Sequence, residues 1–189
     1  VLAQRTIDAF GRVDILINGA GGAKKEATTS EQLSFFDLPE DAVRWVFDLN
    51  FMGTFLACQV FGKAMCEAGR GGSIINISSA SSGPPLSKVF TYSVTKAGVN
   101  QITQFLAREF APCRVRVNAI LPGFFPAEQN RRILTPERTA SIMGHTPVQR
   151  FGEPSELVGM AVYLASERAS SFTTGSLLRV DGGFLAMTI

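Results

Sequence analysis

Three short apolar runs set the strongest limit on how this chain can fold. The runs are ILIN, SIINI and VRVNAIL, and each leads into a turn or into small polar residues. Continuous apolar runs of this length are typical of strands buried on both faces of a parallel sheet. Segments with helical spacing of apolar residues separate them, so the strands require right-handed crossover connections. The sequence therefore predicts an α/β fold with a doubly wound parallel sheet.

The predicted helices have limits that can be placed in the sequence. The first, VLAQRTIDAF, ends at Gly11, a residue type common just after helix C-termini. We predict further helices at residues 41–69, 89–110 and 153–170, and a last strand in GSLLRVDGG. Between residues 123 and 152 the pattern weakens and prolines recur, which indicates loops and short helices that could form a lid. No repeat or linker divides the chain, so residues 1–189 are predicted to form a single domain.

Composition excludes several classes of function. The 189 residues are 46% hydrophobic and 18% charged, with a net charge of +2. The basic residues are scattered, which argues against nucleic-acid binding. No apolar stretch reaches the length of a membrane span. The three cysteines, Cys58, Cys66 and Cys113, form no paired motif and have no nearby histidine, so we expect reduced thiols, no metal site and a cytoplasmic location.

Small and polar residues gather where the predicted strands end. In chain order they are Asn18-Gly19-Ala20-Gly21-Gly22, Ser78, Ser79, Ser81 and Ser82, and Pro122-Gly123. Ligands of open parallel sheets bind beyond the carboxyl ends of the strands. Glycines also make turns and serines are common in loops, so each motif alone is also typical of an ordinary structural role. Their combination in one chain favours a ligand site at this edge of the sheet.

Tyr92 and Lys96 lie four residues apart near the start of the helix predicted at 89–110. This spacing puts the phenol and the ammonium group on one face of the helix. A cation beside a phenol favours the phenolate, so we expect Lys96 to lower the pKa of Tyr92 from roughly 10 towards neutrality. An isolated pair with this spacing is more often two surface residues without a catalytic task. The motifs around it therefore decide its meaning.

Taken in order, these motifs resemble those of the short-chain dehydrogenase/reductase family over essentially the whole chain. The matching residues are Asn18-Gly19-Ala20-Gly21, Asn50 in DLNFMGTF, Ser79, Tyr92 with Lys96, and Pro122-Gly123. Ser79 matches the family's serine better than Ser78 does, because it lies at the usual spacing from Tyr92. The resemblance implies a Rossmann-like dinucleotide-binding domain, of which this sequence holds the later strands and helices.

The resemblance also implies a role for each matching residue. Tyr92 would be the general base in alcohol oxidation and the acid in the reverse reaction, and Ser79 would hold the substrate oxygen. Lys96 would bind the nicotinamide ribose, and Asn50 would hold a water through which the proton leaves. Asn18, Gly19, Ala20, Gly21, Tyr92, Lys96, Pro122 and Gly123 would contact the cofactor. For Asn50, a structural role at a helix kink is the ordinary alternative.

Several longer phrases are similar to one branch of the family, the D-mannonate oxidoreductases (fructuronate reductases). They are FDLNFMGTFL, NAILPGFFPAEQN, HTPVQRFGEPSELVG and VDGGFLAMTI. This similarity implies a sugar acid as substrate and NAD(H) as redox partner. NADP stays open, because the acidic residue that selects NAD is not in this sequence. Two alternatives also stay open: a reductase for another carbonyl, such as a sugar or a 3-oxoacyl thioester, and a non-catalytic fragment that only assembles.

Candidates for substrate recognition lie in the weakly patterned region. Arg131 and Arg132 could bind a substrate carboxylate, since a guanidinium group matches it in shape and charge, although solvated arginines are common in loops. His145, the only histidine, is expected to have a structural or lid role. Glu128 and Gln129 could also face the site, and the residues alone do not decide this. Phe124-Phe125 is expected to pack beneath the cofactor.

Two departures from the family pattern matter. Ala127 stands where the family often has a threonine that contacts the cofactor, a loss of about 1 kcal/mol. The glycine-rich dinucleotide fingerprint is absent, so we expect this chain to be part of a longer enzyme, with several tens of residues outside it, at about 30 per βαβ unit. We therefore expect residues 14–17 to form an exposed apolar edge strand. By resemblance, copies would form a homodimer or homotetramer through residues 41–69, 89–110 and 181–189.

Overall fold

Four parallel strands form the sheet of this protein. The computed structural model describes residues 2–84, 86–126 and 135–186. Within these residues the strands follow one another in chain order across the sheet. They are β1 (Ile15–Asn18), β2 (Gly72–Ile77), β3 (Val115–Pro122) and β4 (Leu177–Val180). All three neighbouring pairs are parallel, as the apolar runs predicted.

Helices connect the strands and begin close to the predicted limits. They are α1 (Leu2–Phe10), α2 (Glu40–Phe47), α3 (Gly53–Ala68), α4 (Phe90–Glu109), α5 (Pro136–Gly144), α6 (Val158–Ala165) and α7 (Glu167–Ser170). Gly11 and Gly69, which follow α1 and α3, have φ values of 79° and 65°. Glycine adopts this left-handed conformation without steric cost, so both residues end their helices cleanly.

The sheet carries helices on both of its faces. Ile74 and Val117 belong to a core cluster with Met65 of α3. The next residue along β2, Ile75, points to the opposite face and packs against Leu164 of α6. Successive side chains of a strand alternate between the faces, so both faces of the central strands are buried and their side chains are apolar or hydrogen-bonded. This arrangement confirms the doubly wound α/β fold.

Two of the predicted helices are interrupted. A π-helical turn, Asp48–Met52, separates α2 from α3 inside the helix predicted at 41–69. The helix predicted at 153–170 starts as a 3₁₀ turn and breaks at Ser166, whose backbone is extended and whose side chain accepts a hydrogen bond from the Ala169 amide. Prediction of continuous helices was wrong at both places, because apolar spacing changes little when a helix gains one residue or pauses for one.

β1 forms an edge of the sheet within the described residues. Its Ile15 and Ile17 side chains are 46% and 53% exposed, whereas Leu16 packs against the core on the face covered by α3. Exposed apolar residues on an edge strand invite pairing with another strand. The expectation of an apolar edge at residues 14–17 is therefore confirmed.

The described residues hold two further findings that bear on function. None of their helices combines the length and the apolar character needed to cross a membrane. In the same residues, no three histidine, cysteine, aspartate or glutamate side chains lie close enough together to hold a metal ion.

Candidate active site

Asn50 joins the loop after β1 to the helical layer. It lies in the middle of the π turn and is fully buried. Its Nδ2 donates to the Gly22 carbonyl at 2.8 Å, and its Oδ1 accepts from the Gly22 amide at 2.9 Å. Nδ2 also donates to the Val46 carbonyl at 2.8 Å. The whole carboxamide is therefore engaged, and it holds the glycine loop as a backbone partner would. Such π turns are frequent at functional sites.

Lys96 is buried beside the same glycine loop. Its side chain is only 3% exposed, and its Nζ donates to the Ile77 carbonyl at the end of β2 at 2.7 Å. Burial lowers the pKa of Lys96 to about 8. A Cβ atom on Gly21 would lie 3.0 Å from this Nζ and 2.6 Å from the Asn50 Oδ1, so only glycine fits there. An ammonium group has three N–H donors, and among the described residues Ile77 takes one of them, which leaves donors for a ligand.

Tyr92 faces Ser79 across the end of the sheet. Burial raises the pKa of Tyr92, and a hydrogen bond with the Ser79 side chain opposes this rise. The Nζ of Lys96 lies 5.7 Å from the centre of the Tyr92 ring, which confirms that the two residues are neighbours. The expected lowering of the Tyr92 pKa by Lys96 is nevertheless wrong in this structure. The ammonium group is directed to the Ile77 carbonyl, and burial decides the direction of the shift.

Ser78 and Ser79 have different environments, although they are adjacent. The Oγ of Ser78 is buried and donates to the Lys96 carbonyl at 3.1 Å, so this serine ties β2 to α4. Ser79 caps the turn that follows, where its Oγ accepts from the Ser81 amide at 3.1 Å. Ser79 is thus the serine that meets Tyr92. This geometry agrees with the choice of Ser79 made from its spacing to the tyrosine.

The remaining predicted cofactor residues divide between ligand-facing and structural positions. Asn18 turns its side chain into the protein, where Nδ2 donates to the Asn76 Oδ1 at 2.8 Å. The side-chain amide nitrogen of Asn18 is therefore engaged inside the protein, next to the buried Cys58 and Asn76 side chains. Gly123 lies beside β4, and a Cβ atom there would be 2.7 Å from the Asp181 Cα. The close packing of the ends of β3 and β4 therefore explains why residue 123 is a glycine, whether or not a ligand binds there.

Several predicted residues do not bear on the observed geometry. Arg131 and Arg132 lie outside the described residues, as do Ala127, Glu128 and Gln129. His145 is exposed at the end of α5, and its Nδ1 lies 3.1 Å from the Ser141 carbonyl oxygen. Its ring lies 6.3 Å from that of Phe184, between centres. His145 has no contact with Tyr92 or Lys96 among those observed in the described residues, and its expected lid role stays a prediction.

Sequence reasoning missed residues that act through tertiary contacts. Gly22 was grouped with the turn, yet its backbone is what Asn50 binds. Arg138 of α5 and Ser87 were not considered, although Nη1 of the arginine donates to the Ser87 Oγ at 3.1 Å. The two adjacent glycines after β1, Gly21 and Gly22, were a sequence signal for the contact with Asn50. The second contact joins residues 51 apart, and nothing local indicates it.

Known proteins with similar sequences are oxidoreductases. A family model described as enoyl-(acyl carrier protein) reductase matches residues 1–185. UxuB of Bacillus subtilis, described as an uncharacterized oxidoreductase, is 45% identical over 191 residues, covering 94% of this chain and 68% of that protein. The 2-dehydro-3-deoxy-D-gluconate 5-dehydrogenase of Escherichia coli is 37% identical over 186 residues, with 98% and 70% covered.

A solved structure shows the same architecture. The crystal structure of a candidate D-mannonate oxidoreductase from Haemophilus influenzae, with NAD bound, is 40% identical and superposes with a TM-score of 0.92. The superposition covers 99% of this chain and 72% of that one. The chain therefore belongs to the short-chain dehydrogenase/reductase family, a family of oxidoreductases with a Rossmann-like fold, as its motifs indicated.

Proposed function

We propose that this protein transfers a hydride between a nicotinamide cofactor, NAD(H), and a sugar acid of the D-mannonate or D-fructuronate type. The observation that carries the proposal is the cluster at the strand ends, where Tyr92 meets Ser79 and Lys96 lies beside the Asn50-bound glycine loop. The sugar-acid class is supported by two relatives, one described as a D-mannonate oxidoreductase and one as a 2-dehydro-3-deoxy-D-gluconate dehydrogenase.

The residues present fit a nicotinamide cofactor. Gly21 lets the loop backbone pack directly against the Asn50 and Lys96 side chains, so the ammonium group of Lys96 lies next to the loop that follows β1. The donors of Lys96 that remain free of described partners would hold ribose hydroxyls. When bound, the cofactor supplies or accepts the hydride. The protein supplies orientation of the substrate and the proton.

Tyr92 exchanges the proton with the substrate oxygen. In the reductive direction its phenol donates, and its raised pKa keeps it protonated and ready at neutral pH. In the oxidative direction the phenolate is the base, and its fraction grows as the pH rises. Ser79 holds the same oxygen beside Tyr92. We therefore expect sugar-acid oxidation to accelerate with pH above neutrality and ketone reduction to do the opposite.

Asn50 acts in this proposal as a positioning residue. Both of its amide hydrogens are already donated, to Gly22 and to Val46, so its side chain has no donor left for the water that the family resemblance implied. Instead it fixes the glycine loop against Lys96. Its removal should disturb cofactor binding before it disturbs proton transfer.

A substrate panel tests the proposal against its alternatives. The full-length protein is assayed with NAD⁺ or NADP⁺ and D-mannonate, and with NADH or NADPH and D-fructuronate, D-fructose or a 3-oxoacyl thioester. We expect NAD-linked turnover of the sugar acids to exceed that of the uncharged sugar and the thioester. Preference for another carbonyl would overturn the substrate assignment. A protein that assembles but binds no nucleotide would overturn the enzymatic one.

We further propose a cytoplasmic location and association into dimers or tetramers. All three cysteines are free thiols, as expected where thiols are kept reduced. Apolar side chains stand exposed on two of the predicted contact helices, among them Leu56 and Val60 of α3 and Phe105 of α4. Exposed apolar surface of this kind marks interaction sites. Sedimentation velocity of the full-length protein measures the assembly directly.

A further inference from the structure

A cavity of about 180 Å³ lies among residues that follow the carboxyl ends of β2 and β3. One wall belongs to the loop that runs from Ser79 to α4, and a second follows Pro122-Gly123 directly. The helix α5 supplies the third wall. Among the residues that line it are Ser87, Phe124, Arg138, Ser141, His145 and Phe184. The loop that carries Ser79 and the segment that follows the Pro-Gly turn therefore both contribute walls to this cavity.

The cavity has an aromatic side and a polar side. The rings of Phe124 and Phe184 meet edge to face, with 5.1 Å between their centres. Ser87 and Arg138 form the polar side and are joined by a hydrogen bond of 3.1 Å from Nη1 to Oγ. Small-molecule sites typically combine apolar walls with a few placed polar groups of this kind. The cationic group here selects for a ligand with negative charge.

Arg138 differs from the arginine of the neighbouring cavity in what neutralises it. Arg150, which lines that second cavity, donates from Nη1 and Nη2 to both carboxylate oxygens of Glu156, each at 2.7 Å. Within the described part of the chain no carboxylate pairs with Arg138. Arg138 is partly exposed, and its guanidinium is held from one side by Ser87 at the surface, which leaves the other edge of the fork for an anion. A carboxylate matches that edge in shape and charge.

We infer that Arg138, positioned by Ser87, binds the carboxylate of the substrate and so sets the preference for sugar acids over uncharged sugars. This inference rests on the proposed function. The carboxylate lies in the cavity under α5, while the reacting hydroxyl lies at Tyr92 and Ser79. Ser87 belongs to the loop that ends a few residues before Tyr92, so both ends of one small substrate are served by one loop.

The test compares a charged substrate with its neutral analogue in the full-length protein. Arg138→Met is assayed with D-mannonate and with D-mannonamide, in which an amide replaces the carboxylate. We expect kcat/KM for D-mannonate to fall about 30- to 100-fold, the value of a hydrogen bond to a charged group, mainly through KM. For D-mannonamide the change stays within about threefold, and NADH affinity is unchanged. Arg138→Lys, which keeps the charge but not the fork, recovers part of the loss.

Controls separate the possible failures. Arg70→Met removes an exposed arginine next to the amino end of β2, at the opposite edge of the sheet, and should leave both substrates unaffected. Ser87→Ala should raise KM for D-mannonate several-fold without changing kcat. An equal loss for D-mannonate and D-mannonamide in Arg138→Met, or no loss for either, overturns the inference while the proposed function stands. A wild-type protein that turns over no sugar acid overturns both.

Discussion

The most unusual residue of the site is a lysine whose ammonium group is almost completely withdrawn from water. Lys96 has one carbonyl partner, from Ile77, and no carboxylate partner among the described residues. Removing a charge from water without an opposite charge is costly, and the cost appears as a pKa lowered to about 8. The protein thus keeps a destabilising group where a ligand needs donors, a common arrangement at functional sites.

This cost predicts how stability responds to pH. The folded-state pKa of Lys96 lies below the unfolded value of about 10.4, so between those values the unfolded chain binds more protons and stability rises with pH. Lys96→Met removes the titration. At each pH, the quantity of interest is the unfolding free energy of Lys96→Met minus that of the wild type. We expect this difference to be about 2 kcal/mol larger at pH 7 than at pH 10, measured by denaturant unfolding of the full-length protein.

The comparison needs a matched control at the surface. Lys63 of α3 is 74% exposed and lies 3.7 Å from Glu67, so Lys63→Met removes a lysine without opening the site. If the unfolding free energies of Lys96→Met and the wild type differed by the same amount at both pH values, the account of a desolvated ammonium group would be contradicted.

The sequence predicted which residues belong to the candidate site where they follow a strand end. It did not predict the burial and hydrogen-bond partners of those residues. The pairing of Tyr92 with Lys96 followed from the helix repeat, and the serines followed from the strand end, whereas the choice of Ser79 over Ser78 came from the resemblance to the family. The direction of the Tyr92 pKa shift depends on how deeply the phenol is buried and on where the neighbouring ammonium group points. Those depend on the packed structure, so the sequence expectation failed there.

At the scale of elements, the π turn between α2 and α3 is the feature that shapes the site. It turns Asn50 inward, and the Thr54 Oγ1 donates to the Asn50 carbonyl at 2.9 Å. On its other side it packs against α4, where a Cβ atom on Gly98 would lie 3.0 Å from the Phe51 ring. The π turn thereby contacts both the loop at residues 19–22 and α4, the helix that carries Tyr92, and holds them in position.

Asn50→Ala tests this element. The change removes three hydrogen bonds of a fully buried side chain, two to the partly buried Gly22 backbone and one to the Val46 carbonyl, and each such bond contributes about 0.5–1.5 kcal/mol. We expect a loss of about 3 kcal/mol in unfolding free energy and faster amide exchange in the glycine loop. Gln101→Ala, at an exposed site of α4, serves as control and should change stability by less than about 0.5 kcal/mol. If Asn50→Ala were as stable as that control, the hydrogen bonds between Asn50 and Gly22 would contribute nothing to the unfolding free energy.

Strands were easier to predict than the interruptions of helices. β2 and β3 are buried along most of their length and mostly apolar, with Ser73, Asn76, Arg116 and Asn118 as buried polar exceptions, and few structures besides a buried parallel strand require such a run. The π turn changes the hydrogen-bond register by one residue while the apolar stripe continues, so the sequence predicted an unbroken helix. The contact between Arg138 and Ser87 joins α5 to the loop that runs from Ser79 to α4. These two residues come together only in the folded chain, so the sequence did not indicate the contact.

At the scale of the whole molecule, the candidate site residues gather at the carboxyl edge of the sheet, and exposed apolar side chains stand on α3 and α4. The exposed apolar residues Leu56 and Val60 of α3 and Phe105 of α4 are candidates for contacts between copies. Association through residues 41–69, 89–110 and 181–189 stays a prediction, and residues 187–189 lie outside the described part of the chain.

The central claim is that Tyr92 exchanges a proton with a sugar acid while hydride moves. The most direct measurement is the single-turnover rate of NADH formation from D-mannonate by the full-length protein and by Tyr92→Phe. We predict a loss of about 10²- to 10⁴-fold in that rate, the usual contribution of general acid–base catalysis, with NADH affinity retained. A Tyr92→Phe protein that forms NADH at the wild-type rate would contradict the account.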